Sequence, residues 1–278
     1  QFIEKINFPR YSSWKEIYKV KPFYIFLIIL ACGYVVKETD GIDLLNYGRL
    51  SQVSEKNTYL KTYKDKHQNL YDIYWLKCNT YSSLTDKNTY DTDQNCIQKK
   101  GAGGVFLWGD SHAEALSYGL RAFLKTNNIP FYQKTSAGCR ALLTDSLRLE
   151  GNIRKACDHS NKIAIQSILK LQPRIVVIAQ STDHDKTDWD IISQKLLSNG
   201  VSEVILIGPV SQWQPSLPET MIKNQHWKTK DEYISDKNLD MTVIQIDQTM
   251  KKSKFMEHIH YISLIDHLCK FNNQKYKI

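Results

Sequence analysis

The chain has 278 residues, 42% of them hydrophobic and 24% charged, with a formal net charge of +8. That is the composition of a globular protein with a sizeable core, and it excludes a disordered or fibrous chain. The basic residues are scattered among Asn, Asp and Glu, and no Lys/Arg block alternates with aromatics, so the charge reads as solvated surface and not as a nucleic-acid footprint. The first residue is Gln1 and not Met, as expected of a piece of a longer protein.

The first element is PFYIFLIILACGYVV, residues 22–36, which carries no charge. As a helix it spans about 22 Å, short of the roughly 30 Å hydrocarbon core unless Lys19, Lys21 and Lys37 snorkel. A buried core helix or a signal-peptide apolar region would also be short. No small-residue cleavage site follows and the run has no polar face, so residues 19–37 read as a transmembrane helix behind a cytoplasmic flank, 1–18. Lys5, Arg10, Lys15, Lys19 and Lys21 precede it, and Glu38, Asp40 and Asp43 follow it. The positive-inside bias places residues from about 38 onward outside the cytoplasm.

Residues 38–103 are rich in Asn, Asp, Thr, Tyr and Lys and read as a loop-rich linker or lid-like extension, with one short helix around 51–66. Cys78 and Cys96 are 18 apart, as are Cys139 and Cys157. In an oxidising compartment these form two local disulfides; in a cytosolic protein they would be four unrelated thiols. No CxxC is present, so a zinc site is not expected, and Cys269 is left without a partner.

From residue 104 the texture changes. GVFLW (104–108) and PFYQK (130–134) read as strands, with a helix between them carrying Leu116, Leu120, Phe123 and Leu124 at helical spacing. A helix follows over 157–171, with Ala164, Ile168 and Leu171 on one face. Then come a strand over 174–179, a helix over 187–199, a strand over 203–208, a helix over 236–255 and a strand over 258–264. Continuous apolar strands alternating with helices predict an α/β fold with a parallel sheet covered on both faces.

In such a sheet ligands bind at the carboxyl ends of strands. Ser111 of Gly-Asp-Ser lies just past the first strand, at the start of the next helix. Its hydroxyl would face the crevice, and its backbone N–H, at a helix N-terminus, would favour a developing oxyanion. The plainer alternative is that Asp110 or Ser111 only caps the helix.

LWGDSHA (107–113) resembles the nucleophile segment of the SGNH hydrolase-like domains that follow family-3 membrane acyltransferases, the O-acetyltransferases of bacterial surface polysaccharides. TSAGCRALL (135–143), ACDHSN (156–161), PRIVVIA, the long GPVSQWQPSLPETMI segment and YISLIDHLCKF are similar to the family's later landmarks, in order. The resemblance implies a three-layer SGNH/flavodoxin-like sandwich over 104–278. It makes the apolar segment the last helix of the membrane acyltransferase domain, in the bacterial inner membrane, with the rest of the chain in the periplasm. Ser111 corresponds to the nucleophile, and Gly138 to a residue whose N–H helps to bind the oxyanion. The usual Asn of the third landmark is not evident; Gln180 and Ser181 of AQSTDH stand where it would be.

The family's catalytic Asp-x-x-His follows a cysteine that would partner Cys269. Neither occurs before Ile278, so a C-terminally truncated chain is expected, with the dyad beyond Ile278. Internal histidines are weaker candidates. His112 adjoins Ser111 but points away on a helix, and Asp266 and His267 are too close in sequence to orient each other. His258 and His260 read as structural, while Asp183 and His184 could contact substrate.

The mechanism so implied delivers an acetyl group from acetyl-CoA through the membrane domain to Ser111, and on to a sugar hydroxyl of a polysaccharide such as lipopolysaccharide O-antigen, with no metal. A membrane-tethered carbohydrate esterase and an inactive glycan-binding remnant are the alternatives. The partners are the upstream membrane domain and a glycan acceptor.

Overall fold

The computed structural model describes residues 21–38, 57–58, 60–61, 64–65, 69–224, 226, 234, 237–272 and 275–277. The chain divides into two units, Gln1–Thr58 and Tyr59–Ile278. The expected cytoplasmic flank, and most of the helix expected over 51–66, lie outside the described residues.

The first unit contains helix α1, Lys21–Glu38. Its large side chains from Tyr24 to Leu30, and Tyr34, are exposed. Among the described residues no helix is long and apolar enough to cross a membrane. α1 carries Lys21, Lys37 and Glu38 within its 18 residues.

The second unit is built on five parallel strands: β1 (Val105–Gly109), β2 (Phe131–Thr135), β3 (Ile175–Ala179), β4 (Glu203–Ile207) and β5 (Ile259–Ile262), in the order β2-β1-β3-β4-β5. Successive side chains on a strand face opposite ways, and β1 divides accordingly. Phe106 and Trp108 join a core with Ala164, Ile168 and Leu171 of the helix Gly151–Leu171 and with Trp189, Ile192 and Leu196 of the helix Trp189–Leu197. Val105 and Leu107 pack on the other face with Ala113, Leu116, Leu120 and Leu124 of the helix Ser111–Thr126. This is the three-layer α/β arrangement expected from the alternating elements. In chain order the helices named so far become α4 (Ser111–Thr126), α5 (Gly151–Leu171) and α6 (Trp189–Leu197), after the short α2 (Leu70–Ile73) and α3 (Thr80–Lys87).

Several boundaries differ from expectation for local reasons. α5 begins at Gly151, well before 157, because its first turns are polar and carry no hydrophobic period. Phe123, counted into the buried stripe of α4, is 65% exposed. The strand expected over 258–264 ends at Ile262, because Ser263 accepts a hydrogen bond from Asp266 N (3.0 Å) and caps a helix, Leu264–Leu268. A helix Leu217–Lys223, with Ser216 and Glu219 forming a capping box, and a hairpin of Lys270–Asn272 with Lys275–Lys277 complete the unit with the helix Met241–Lys252.

Both disulfides are present, Cys78–Cys96 with Cα atoms 5.7 Å apart and Cys139–Cys157 at 5.1 Å. Cys269 is free and buried. The stapled extension is more ordered than a linker. The Asn79 side chain caps α3 by accepting from Ser82 N (2.9 Å), and its amide donates to Glu114 of α4 at 2.6 Å.

Candidate active site

The strand order reverses direction between β1 and β3, so the crevice lies beyond the carboxyl ends of those two strands. Gly109 makes the turn out of β1 possible. Its φ is +148°, and a Cβ there would lie 1.8 Å from the Ala179 carbonyl oxygen, which no side chain can occupy.

Asp110 is fully buried and caps α4, with Oδ1 accepting from His112 N at 2.8 Å. Its Oδ2 accepts from Ser181 N, also at 2.8 Å. One carboxylate thus fixes the helix start and ties the loop after β3 to the loop after β1. The capping role expected as the plainer reading is real and belongs to Asp110. It leaves Ser111, the first residue of α4, exposed at the crevice.

Ser111 N–H has no hydrogen-bond partner among the described residues, and neither does Gly138 N–H. Gly138 is exposed, with φ +63°. Its turn is anchored by Ser136 N, which donates to Gly109 O at 3.2 Å, and closed by Cys139 N, which donates to Ser136 O at 3.1 Å. Two free N–H groups therefore stand on the loops after β1 and β2, which are adjacent strands.

The third position is occupied differently from expectation. The Gln180 amide nitrogen is spent on Thr182 O (2.8 Å) and Thr187 Oγ1 (3.0 Å), and Ser181 N on Asp110. Neither is available to an oxyanion; Ser181 keeps only its hydroxyl.

No histidine is hydrogen-bonded to Ser111 Oγ among the described residues. His184 is buried, with neither ring nitrogen hydrogen-bonded. Burial, reinforced by His112, holds it neutral with a pKa of about 4, a poor base at neutral pH. Asp183 is likewise buried and engaged in ion pairs. His258 and His260 are exposed, and both are satisfied by Glu203, at 3.3 and 2.7 Å. His267 is exposed on a short helix, and Asp266 is bound by Lys251 at 2.8 Å instead of orienting it.

Glu114, one turn after Ser111 on α4, was not singled out from sequence. It is buried, and that burial pushes its carboxyl up to about 7, against the hydrogen bonds of Thr135 and Asn79. Only its place three residues after Ser111 could have signalled it. A groove of about 440 Å³ runs along α5 and residues 142–145, lined by neither Ser111 nor Gly138.

A family model described as "SGNH domain (fused to AT3 domains)" matches residues 77–277. The chain belongs to this family. Its SGNH domain therefore includes the disulfide-stapled extension from Lys77 on. The fold is similar to that of the lipopolysaccharide acetyltransferase periplasmic domain of Salmonella ser. Paratyphi A, with a TM-score of 0.52 and 20% identity over 73% of this chain and 82% of that one. No curated protein sequence matches the chain.

Proposed function

We propose that this SGNH domain is the acyl-transferring domain of an O-acyltransferase, with Ser111 as nucleophile and the N–H groups of Ser111 and Gly138 as oxyanion donors. The observation that carries the reading is the exposed Ser111, whose own backbone N–H and that of Gly138 on the neighbouring loop are unpaired, with Asp110 buried behind it. Attack by Ser111 Oγ on an acyl carbonyl would develop negative charge that these two unpaired N–H groups would stabilise. Departure of the donor leaves an acyl-serine. A sugar hydroxyl then attacks it, the acyl C–O bond to Ser111 breaks, and the serine recovers its proton.

The donor is an acetyl group supplied from acetyl-CoA through an AT3 membrane domain, and the acceptor is a cell-surface polysaccharide. The family's fusion to AT3 domains and the fold shared with a lipopolysaccharide acetyltransferase support that choice. The exposed apolar residues of α1 support placing that helix against the membrane domain, with the SGNH domain in the periplasm. The general base is a histidine other than His112, His184, His258, His260 and His267, as in the Asp-x-x-His of the family resemblance. Incubation of acetyl donor, glycan and protein should yield acetylated glycan that is lost in Ser111→Ala. Release of free acetate without acetylated glycan would make the domain an esterase.

A further inference from the structure

Three cations converge on one buried carboxylate beside the crevice. Arg140 Nη1 is 3.3 Å from Asp183 Oδ2, Arg148 bears on the same oxygen, and Lys186 Nζ is 3.4 Å from Oδ1. The Thr182 hydroxyl also donates to Oδ2, at 3.3 Å. Three positive charges against one negative leave a surplus of two. Arg148 and Lys186 have side chains 59% and 71% exposed, and neither pairs with any other carboxylate among the described residues. Asp145, Glu150 and Asp185 are close in sequence, but none forms an ion pair with the three cations.

The cluster's position follows from the sheet order. Arg140 follows Gly138 in the loop after β2, and Asp183 lies in the loop after β3, two residues beyond the N–H that Asp110 holds. β1 runs between β2 and β3, so the Arg140–Asp183 pair bridges the two loops that flank Ser111. Arg140 is held from behind: its carbonyl accepts from Asn161 Nδ2 (2.9 Å), Asn161 Oδ1 accepts from Trp108 Nε1 (2.8 Å), and Cys139 is bonded to Cys157. A guanidinium carries five N–H donors in a fixed fork, and one shared oxygen of Asp183 satisfies few of them. Arg140 is largely buried, at 16% exposed, so the donors that face solvent are those of Arg148 and the Lys186 ammonium.

We propose that Arg140, Arg148 and Lys186 form an anion-binding subsite for the carboxylate or phosphate of a sugar, so that the domain selects an acidic glycan. Calling that glycan the acceptor rests on the acyl-transfer reading; the binding itself does not. Charge-assisted and bidentate hydrogen bonds to such a group are the strong, geometrically selective kind.

The test is surface plasmon resonance on the full 278-residue chain with three probes: hyaluronan tetrasaccharide, chitotetraose and glucose 1-phosphate. The uronate probe, the phosphate probe or both should bind saturably and the neutral chitotetraose should not; whichever binds identifies the anion. Arg148→Gln with Lys186→Gln should weaken binding at least about tenfold, and Arg148→Lys with native Lys186 should retain part of it. Arg174→Gln, at the opposite end of β3, should change nothing. Equal binding of chitotetraose, or unchanged binding by the double variant, would overturn the subsite. If Ser111 acquires an acetyl group yet no acidic preference exists, the subsite alone falls. If the acidic probe binds and Ser111 never becomes acetylated, the transfer reading falls and the subsite stands.

Discussion

Asp110 does at the scale of one residue what the site depends on. Its two oxygens hold two backbone N–H groups, His112 at the start of α4 and Ser181 in the loop after β3, each at 2.8 Å. Asp110→Ala would leave both donors without their charged partner, and we expect a loss of about 2 kcal/mol or more in urea unfolding. Acylation of Ser111 should fall with it, because the loop after β3 is released. Gly109→Ala should be at least as damaging, about 2 kcal/mol or more, since its Cβ would collide with the Ala179 carbonyl, which belongs to a central strand.

Two buried titratable residues act on stability in opposite senses. Glu114, raised to about 7 from an ordinary 4.5, is protonated in the fold more readily than in the unfolded chain. Its contribution is fully present below about pH 4.5 and is lost as pH rises to about 7. His184, lowered to about 4 from 6.5, stays neutral while the unfolded chain takes up a proton, so its contribution is present above 6.5 and lost as pH falls toward 4. The windows overlap, and the two slopes offset each other. Glu114→Gln should therefore gain stability relative to the native chain as pH rises from 4.5 to 7, by up to about 3 kcal/mol. Denaturant midpoints across that range measure it; a constant difference would mean that Glu114 titrates normally.

At the scale of elements, the five strands and the three helices α4, α5 and α6 were legible because buried parallel strands read as short apolar runs and covering helices as stripes. The place of Ser111 past the end of β1 was legible for the same reason, whereas Gly138 came only from the family resemblance. What stayed hidden was set by polar contacts with no sequence period. The first turns of α5 are polar. Ser263 stops β5 through a single hydrogen bond. Asn79 docks the extension on α4 through Glu114, and one isolated Asn in a Thr- and Tyr-rich stretch announces nothing. Asp183 was visible as a crevice residue, but its cations come from Arg140, Arg148 and Lys186, two of them far away in sequence. The extension also gives a prediction. Replacing Cys78 and Cys96 by Ser should cost about 3 kcal/mol for a loop of this size, and should loosen α4 through Asn79. Hydrogen exchange at Glu114 and its neighbours would report the second effect; unchanged protection there would separate the staple from α4.

For the molecule as a whole, we propose that the acyl group passes through Ser111. Among the described residues no histidine is hydrogen-bonded to its hydroxyl, and general-base help contributes about 10² to 10⁴ in rate; we predict at most slow turnover of 4-nitrophenyl acetate by this chain. Placement outside the cytoplasm is testable separately: a reporter fused after Gly101 should be active only in the periplasm, and cytoplasmic activity would sink that topology. The central claim needs only a single acylation event. The 278-residue chain, incubated for hours with 4-nitrophenyl acetate and mapped by peptide mass spectrometry, should carry one acetyl group on Ser111, absent in Ser111→Ala. An unmodified Ser111 peptide, with acetyl groups found only on other residues, would contradict it.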